Sequence, residues 1–130
     1  MFPSQAPVSF VFSVAYDPAA DETWPIWQCP TGRQFTILSA TAAVANDVAA
    51  STANYFTVAL QNGGTAGTAT TAVAAAIGGT AGWTGMLPKA FTVSADELTA
   101  GQVLKVAYDE TGTGTFTQLT VQINGVWGEY

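Results

Sequence analysis

Residues 101–128 read GQVLKVAYDETGTGTFTQLTVQINGVWG, and their periodicity decides the fold. In the first run Leu104, Val106 and Tyr108 share one face. In the second, Thr117, Leu119, Val121 and Ile123 share one face, and Gln118, Thr120 and Gln122 share the other. Alternation with a period of two marks strands that bury one side. Between the runs, Asp109, Glu110, Thr111, Gly112, Thr113, Gly114 and Thr115 have turn chemistry. The stretch is therefore expected to form an antiparallel hairpin, with the rest of the chain adding strands to it.

Upstream, residues 8–16 alternate strongly, with Val8, Phe10, Phe12, Val14 and Tyr16 on one side. Residues 23–28 predict a second strand, but Pro25 lacks an amide donor and confines it to an edge or a bulge. Residues 33–45 predict a long strand with Phe35 and Ile37 on one face, the alternation carrying on to Ser39 and Thr41. Residues 55–61 predict a strand with Phe56, Val58 and Leu60 inward. Residues 68–77 and 89–93 predict two more. Gly63-Gly64-Thr65-Ala66-Gly67 recurs as Gly78-Gly79-Thr80-Ala81-Gly82, which reads as two similar loops bracketing a strand. Ser94 and Glu97 have the spacing of a capping box, so one helical turn is expected there, closed by Gly101 in the left-handed conformation. About eight strands with turns every 8–15 residues predict an all-β chain. The expected architecture is an antiparallel β-sandwich, jelly-roll-like, with an immunoglobulin-like sandwich as the alternative.

At 130 residues the chain is one domain, residues 1–130. Residues 1–7 are expected to form an extended N-terminal arm, because Pro3 and Pro7 withhold ladder donors. Charged residues make up only 9% of the chain, against roughly 25% in ordinary soluble proteins. The surface must then be built from small and uncharged polar side chains. No apolar run reaches the ~18 residues of a membrane helix, so membrane association is not expected. Partner interfaces are the expected reason for the poverty of charge, and a homo-oligomer follows. The net charge is −6, with only Arg33, Lys89 and Lys105 basic, which disfavours nucleic acid as a partner. The start of the chain has neither the basic residue nor the apolar run of a secretory signal. Cys29 is single, so no internal disulfide can form. Synthesis in a reducing cytoplasm is the expectation.

The chemical inventory is thin. The chain has no histidine, which removes the commonest general base and any Ser-His-Asp or Cys-His device. Cys29 has no cation beside it in sequence and is expected to be an inert buried thiol. The glycine pairs are not followed by the Lys-Ser/Thr of a phosphate loop. Acidic residues gather in two loops, Asp17, Asp21 and Glu22 in one and Asp109 and Glu110 in the other. Carboxylate pairs can hydrolyse glycosides or help bind Ca²⁺. Neither loop has the spacing of a Ca²⁺ loop, so both are read as solvated tips. No catalytic residue, cofactor or metal is expected.

Phe2, Trp24, Trp27, Trp83, Trp127 and Tyr130 are the candidate interface residues, since they fall at predicted loops, edges or termini. Three roles stay open for the tryptophans: core, subunit contact, or a platform for sugars. In a regular strand Trp24 and Trp27 would point to opposite faces, so at most one would be core.

Residues 101–106 (GQVLKV), 109–115 (DETGTGT) and the 119–123 strand, with the Ala/Thr/Gly style of the whole, carry a resemblance. The chain resembles the small β-sandwich decoration, or cement, proteins of tailed bacteriophages. The resemblance implies a non-enzymatic virion protein that coats or clamps a capsid shell. It also implies the major capsid protein as partner, a homotrimer or other homo-oligomer, and a place on the capsid surface after synthesis in the host cytoplasm. It transfers no site residue. The composition of the arm suggests that Phe2 reaches a neighbouring subunit. The alternative is a carbohydrate-binding or host-recognition module that uses exposed tryptophans.

Overall fold

The structure is a computed structural model describing residues 7–18, 20–114 and 116–129. Phe2, Tyr130 and most of the expected arm lie outside the described residues. Nine strands account for most of it: β1 (Pro7–Val14), β2 (Glu22–Gln28), β3 (Arg33–Val44), β4 (Tyr55–Asn62), β5 (Thr71–Gly78), β6 (Lys89–Ala90), β7 (Glu97–Thr99), β8 (Val103–Thr111) and β9 (Leu119–Glu129). A single 3₁₀ turn, Gly79–Ala81, is the only helix among the described residues.

The strands form two antiparallel sheets. Sheet A has five strands in the order β1-β9-β3-β6, with β7 also on β3. Sheet B has four, in the order β2-β8-β4-β5. The pairs are nested: β1 with β9, β2 with β8, β3 with β6 and β7, β4 with β5. That nesting is a long hairpin wound around itself, and it makes the sandwich a jelly roll.

Winding corrects the expected hairpin at residues 101–128. β8 and β9 do not pair; they lie in opposite sheets, β8 ending at Thr111 and β9 beginning at Leu119. The inward faces nevertheless follow the alternation. Leu104, Val106, Tyr108, Leu119, Val121 and Ile123 are all buried. A period-two pattern reports which way side chains point, and it is silent about the neighbouring strand. Thr117 is not inward as expected. It is exposed, and its amide and hydroxyl both donate to Asn46 Oδ1, at 2.9 and 3.0 Å. Phe116 fills the core instead, its ring 5.4 Å from those of Phe56 and Tyr108.

Two further expectations fail for local reasons. β3 carries a bulge between Ile37 and Ser39, where the register on β9 shifts. The extra residue, Leu38, reverses the alternation. Ala40, Ala42 and Val44 therefore point inward, and Ser39 and Thr41 point out. The helical turn expected at residues 94–98 is also absent. Leu98 is fully buried opposite Phe35, and Glu97–Thr99 pairs with β3 as β7. Ser94 caps nothing; its amide and hydroxyl donate to the carbonyl of Val73. Burial of Leu98 outweighs the local preference of a short polar segment. Gly101 does take the left-handed conformation, φ 82°, within the turn that joins β7 to β8.

The core lies between the sheets. Close approach of backbone matters at Gly125 in β9, where a Cβ would sit 2.4 Å from both Phe35 Cζ and the carbonyl oxygen of Thr36. Glycine there lets Phe35 lie beneath β9, and an alanine would force one of them to move, at about 1–3 kcal/mol.

Candidate interaction surface

The outward side chains of β1, β9 and β3 form a nearly uncharged face. Ser9, Val11 and Ser13 come from β1, Thr120, Gln122 and Asn124 from β9, and Ser39, Thr41 and Ala43 from β3. Alternation puts them there, because their neighbours in sequence fill the core. The polar ones bond to each other, Ser9–Asn124 and Asn124–Ser39 across strands and Gln122–Asn124 along β9. Ser9 donates to Asn124 Oδ1 at 2.7 Å, Asn124 Nδ2 donates to Ser39 Oγ at 3.0 Å, and Gln122 Nε2 donates to Asn124 Oδ1 at 3.2 Å. Cross-strand bonding of this kind holds short side chains flat and leaves a smooth surface.

At the end of this face the loop between β5 and β6 raises an apolar lip. Met86 is 78% exposed and Leu87 59%. Met86 has φ 65°, the left-handed region that disfavours side chains with a Cβ. Three hydrogen bonds hold it there: Met86 N to the carbonyl of Val44 at 2.7 Å, Gly85 N to Asp47 Oδ1 at 2.7 Å, and Leu87 N to the carbonyl of Thr84 at 3.2 Å. The lip borders a cleft of about 240 Å³ lined by Ala43, Val44, Ala45, Met86, Gln118 and Thr120. A strained, exposed apolar residue fixed by its surroundings is a mark of a functional site. Nothing in sequence pointed to it except the run Thr84-Gly85-Met86-Leu87-Pro88, which reads as plain loop.

The tryptophans are placed differently from expectation. Trp83 is 4% exposed and stacks on Phe56 at 5.3 Å with a 12° interplanar angle. Lys89 Nζ lies over its ring at 5.5 Å. Trp24 and Trp27 face the same side, because β2 has a bulge between Pro25 and Trp27. They pair with Val106 and Leu104, both inward residues. Both rings pack on the core, Trp24 against Phe12 and Tyr108, Trp27 against Phe10, Phe35 and Trp127. Pro25 does lie on an edge strand with a bulge, as its chemistry predicts. Trp127 is half-buried, its ring edge on Phe35 and Trp27.

The structure joins the two acidic loops. Asp21 Oδ1 accepts from Glu110 N at 2.8 Å, and Glu22 accepts from Tyr16 Oη at 2.7 Å and Trp24 Nε1 at 3.0 Å. Slight desolvation by the surrounding chain, with the charge of Asp21 next in importance, holds the exposed Asp109 carboxyl above its ordinary range. Partial burial, then the charges of Asp17 and Asp21, does the same to Glu110. No group of three or more potential ligands is arranged to hold a metal ion among the described residues. Cys29 is buried, its thiol within reach of the carbonyls of Arg33 and Leu98, and burial pushes its pKa up. A raised pKa keeps a thiol protonated and unreactive. The chain matches no protein-family model and no curated protein at significant similarity.

Proposed function

We propose that the protein is a non-enzymatic virion structural protein, a decoration or cement protein that binds and stabilises a phage capsid shell. The observation that carries the reading is the uncharged outer face of sheet A, ending in the strained and exposed Met86. Such a face suits docking onto another protein, since bringing it into contact desolvates no formal charge. The partner in this reading is the major capsid protein, and the protein acts as a homo-oligomer on the capsid surface. A ligand that binds only the assembled shell stabilises it by mass action, and many weak copies add through avidity. The carbohydrate alternative draws less support, because Trp83 is buried and the other described tryptophans spend ring surface on the core. The test is co-sedimentation with expanded capsids at micromolar concentration. Saturable pelleting supports the proposal; a protein left wholly in the supernatant sinks it.

A further inference from the structure

The free edge of sheet A has a property that the outer face does not require. Residues 8–14 read Val-Ser-Phe-Val-Phe-Ser-Val, a palindrome centred on Val11. The segment lies within β1, which ends sheet A and pairs on one side only, with β9. Among the described residues its main chain bonds to no other strand. Alternate residues of such a strand turn their N–H and C=O groups toward the open side.

The other edges are protected. β2 carries Pro25 and a bulge. β5 shifts register twice and has the amides of Ser94 and Ala95 bonded to Val73, with a bridge from Ala74 to Val93. β6 and β7 have only two and three residues. β1 has eight residues in unbroken register, no charge, and no proline after its first position. Natural sheets usually blunt an edge of that kind with charge, proline or a bulge.

We infer that β1 is a self-complementary edge that pairs antiparallel with β1 of a second copy, about a two-fold axis through Val11. In that register Val8 meets the second copy's Val14, Ser9 its Ser13, Phe10 its Phe12 and Val11 its Val11. Each pair joins side chains of like kind, and each keeps its face. Phe10 and Phe12 continue the buried layer, the serine pairs extend the polar face, and Val11, 65% exposed in the single chain, is covered by its own copy. A palindrome is what an isologous contact needs, because the same patch must serve both partners. Strand addition supplies the main-chain hydrogen bonds, and the side-chain pairs set the register. The assembly is a two-fold pair, which falls among the homo-oligomers other than a trimer that the resemblance leaves open. The inference does not rest on the capsid reading: a protein that dimerises and ignores capsids overturns only that reading.

Sedimentation equilibrium of the full chain tests it, with Val11→Lys as the first variant. The wild type is expected to show a monomer–dimer equilibrium at micromolar to high micromolar concentration. Val11→Lys places two ammonium groups at the axis and is expected to raise the dimer Kd by about tenfold or more. Its side chain faces solvent in the single chain, so its near-ultraviolet circular dichroism should match the wild type. Val11→Cys provides a positive readout. A short bis-maleimide should cross-link it into dimers, whereas Ser39→Cys, exposed on β3, should stay monomeric; Cys29, buried, does not compete. A wild type that is monomeric throughout, a dimer indifferent to Val11→Lys, or equal cross-linking from Ser39→Cys would each overturn the inference.

Discussion

Met86 occupies a left-handed backbone conformation with its side chain in solvent, which gives it a cost and no packing return. Glycine adopts that conformation without the Cβ clash, so Met86→Gly is expected to stabilise the chain by about 1 kcal/mol in chemical denaturation. The same variant should weaken capsid binding, because the lip loses its apolar side chain. Asp109 makes a second prediction at this scale. Its folded-state pKa lies above the ordinary 3.8, mainly through slight desolvation and then through the charge of Asp21. A carboxyl raised on folding opposes the fold when ionised, and the penalty vanishes as pH falls to the unfolded value. Stability contributed at this site therefore rises as pH falls through the window just above 3.8. Asp109→Asn is expected to raise Tm at neutral pH and to lose that advantage near the bottom of the window, as thermal melts over a pH series would show. Single residues were also where sequence reading was weakest. Phe116 sits in a Gly/Thr-rich crossover, and the alternation expected from Thr117 onward would turn it outward with Gln118, whereas it is buried.

At the scale of elements, β7 separates two accounts of one segment. If residues 94–98 formed a capped helical turn, Ser94→Ala would cost about 1 kcal/mol. Since Ser94 is exposed and only touches the Val73 carbonyl, the expected change is within about 0.5 kcal/mol. Leu98→Ala, which empties a fully buried position opposite Phe35, is expected to cost about 2–5 kcal/mol. Urea titration of both variants checks the contrast. The long strands were legible because Val, Phe, Leu and Ile alternate along them. Their faces follow the alternation up to the first bulge, except that β1 stops at Val14 and leaves Tyr16, expected inward with Phe12, 53% exposed. At Leu38, and between Pro25 and Trp27, one extra residue reverses the alternation, and neither site has a glycine to announce it. Trp24 and Trp27 thus share a face that a regular strand would deny them. Partnering was the other illegible quantity: β8 and β9 look like hairpin neighbours in sequence and lie in different sheets.

Across the whole molecule, the nested pairing gives a sandwich with one broad uncharged face, one acidic corner and one open edge. Low charge, the feature most visible in composition, becomes meaningful only when the fold collects the Ser, Thr, Asn and Gln side chains on β1, β9 and β3. Which partner that face meets is not written in alternation, and Phe2 and Tyr130, two of the candidate contacts, lie outside the described residues. Gln122→Glu with Thr41→Glu would put opposed like charges on adjacent strands of the face, since the two positions pair. The double variant should stay folded, with a small loss of stability, and bind capsids at least about tenfold more weakly in the pelleting assay. The capsid reading is tested most directly by calorimetric melting of expanded shells with and without saturating protein. The shell transition is expected to move to higher temperature in proportion to bound copies. A shell that melts at the same temperature in both cases would contradict it.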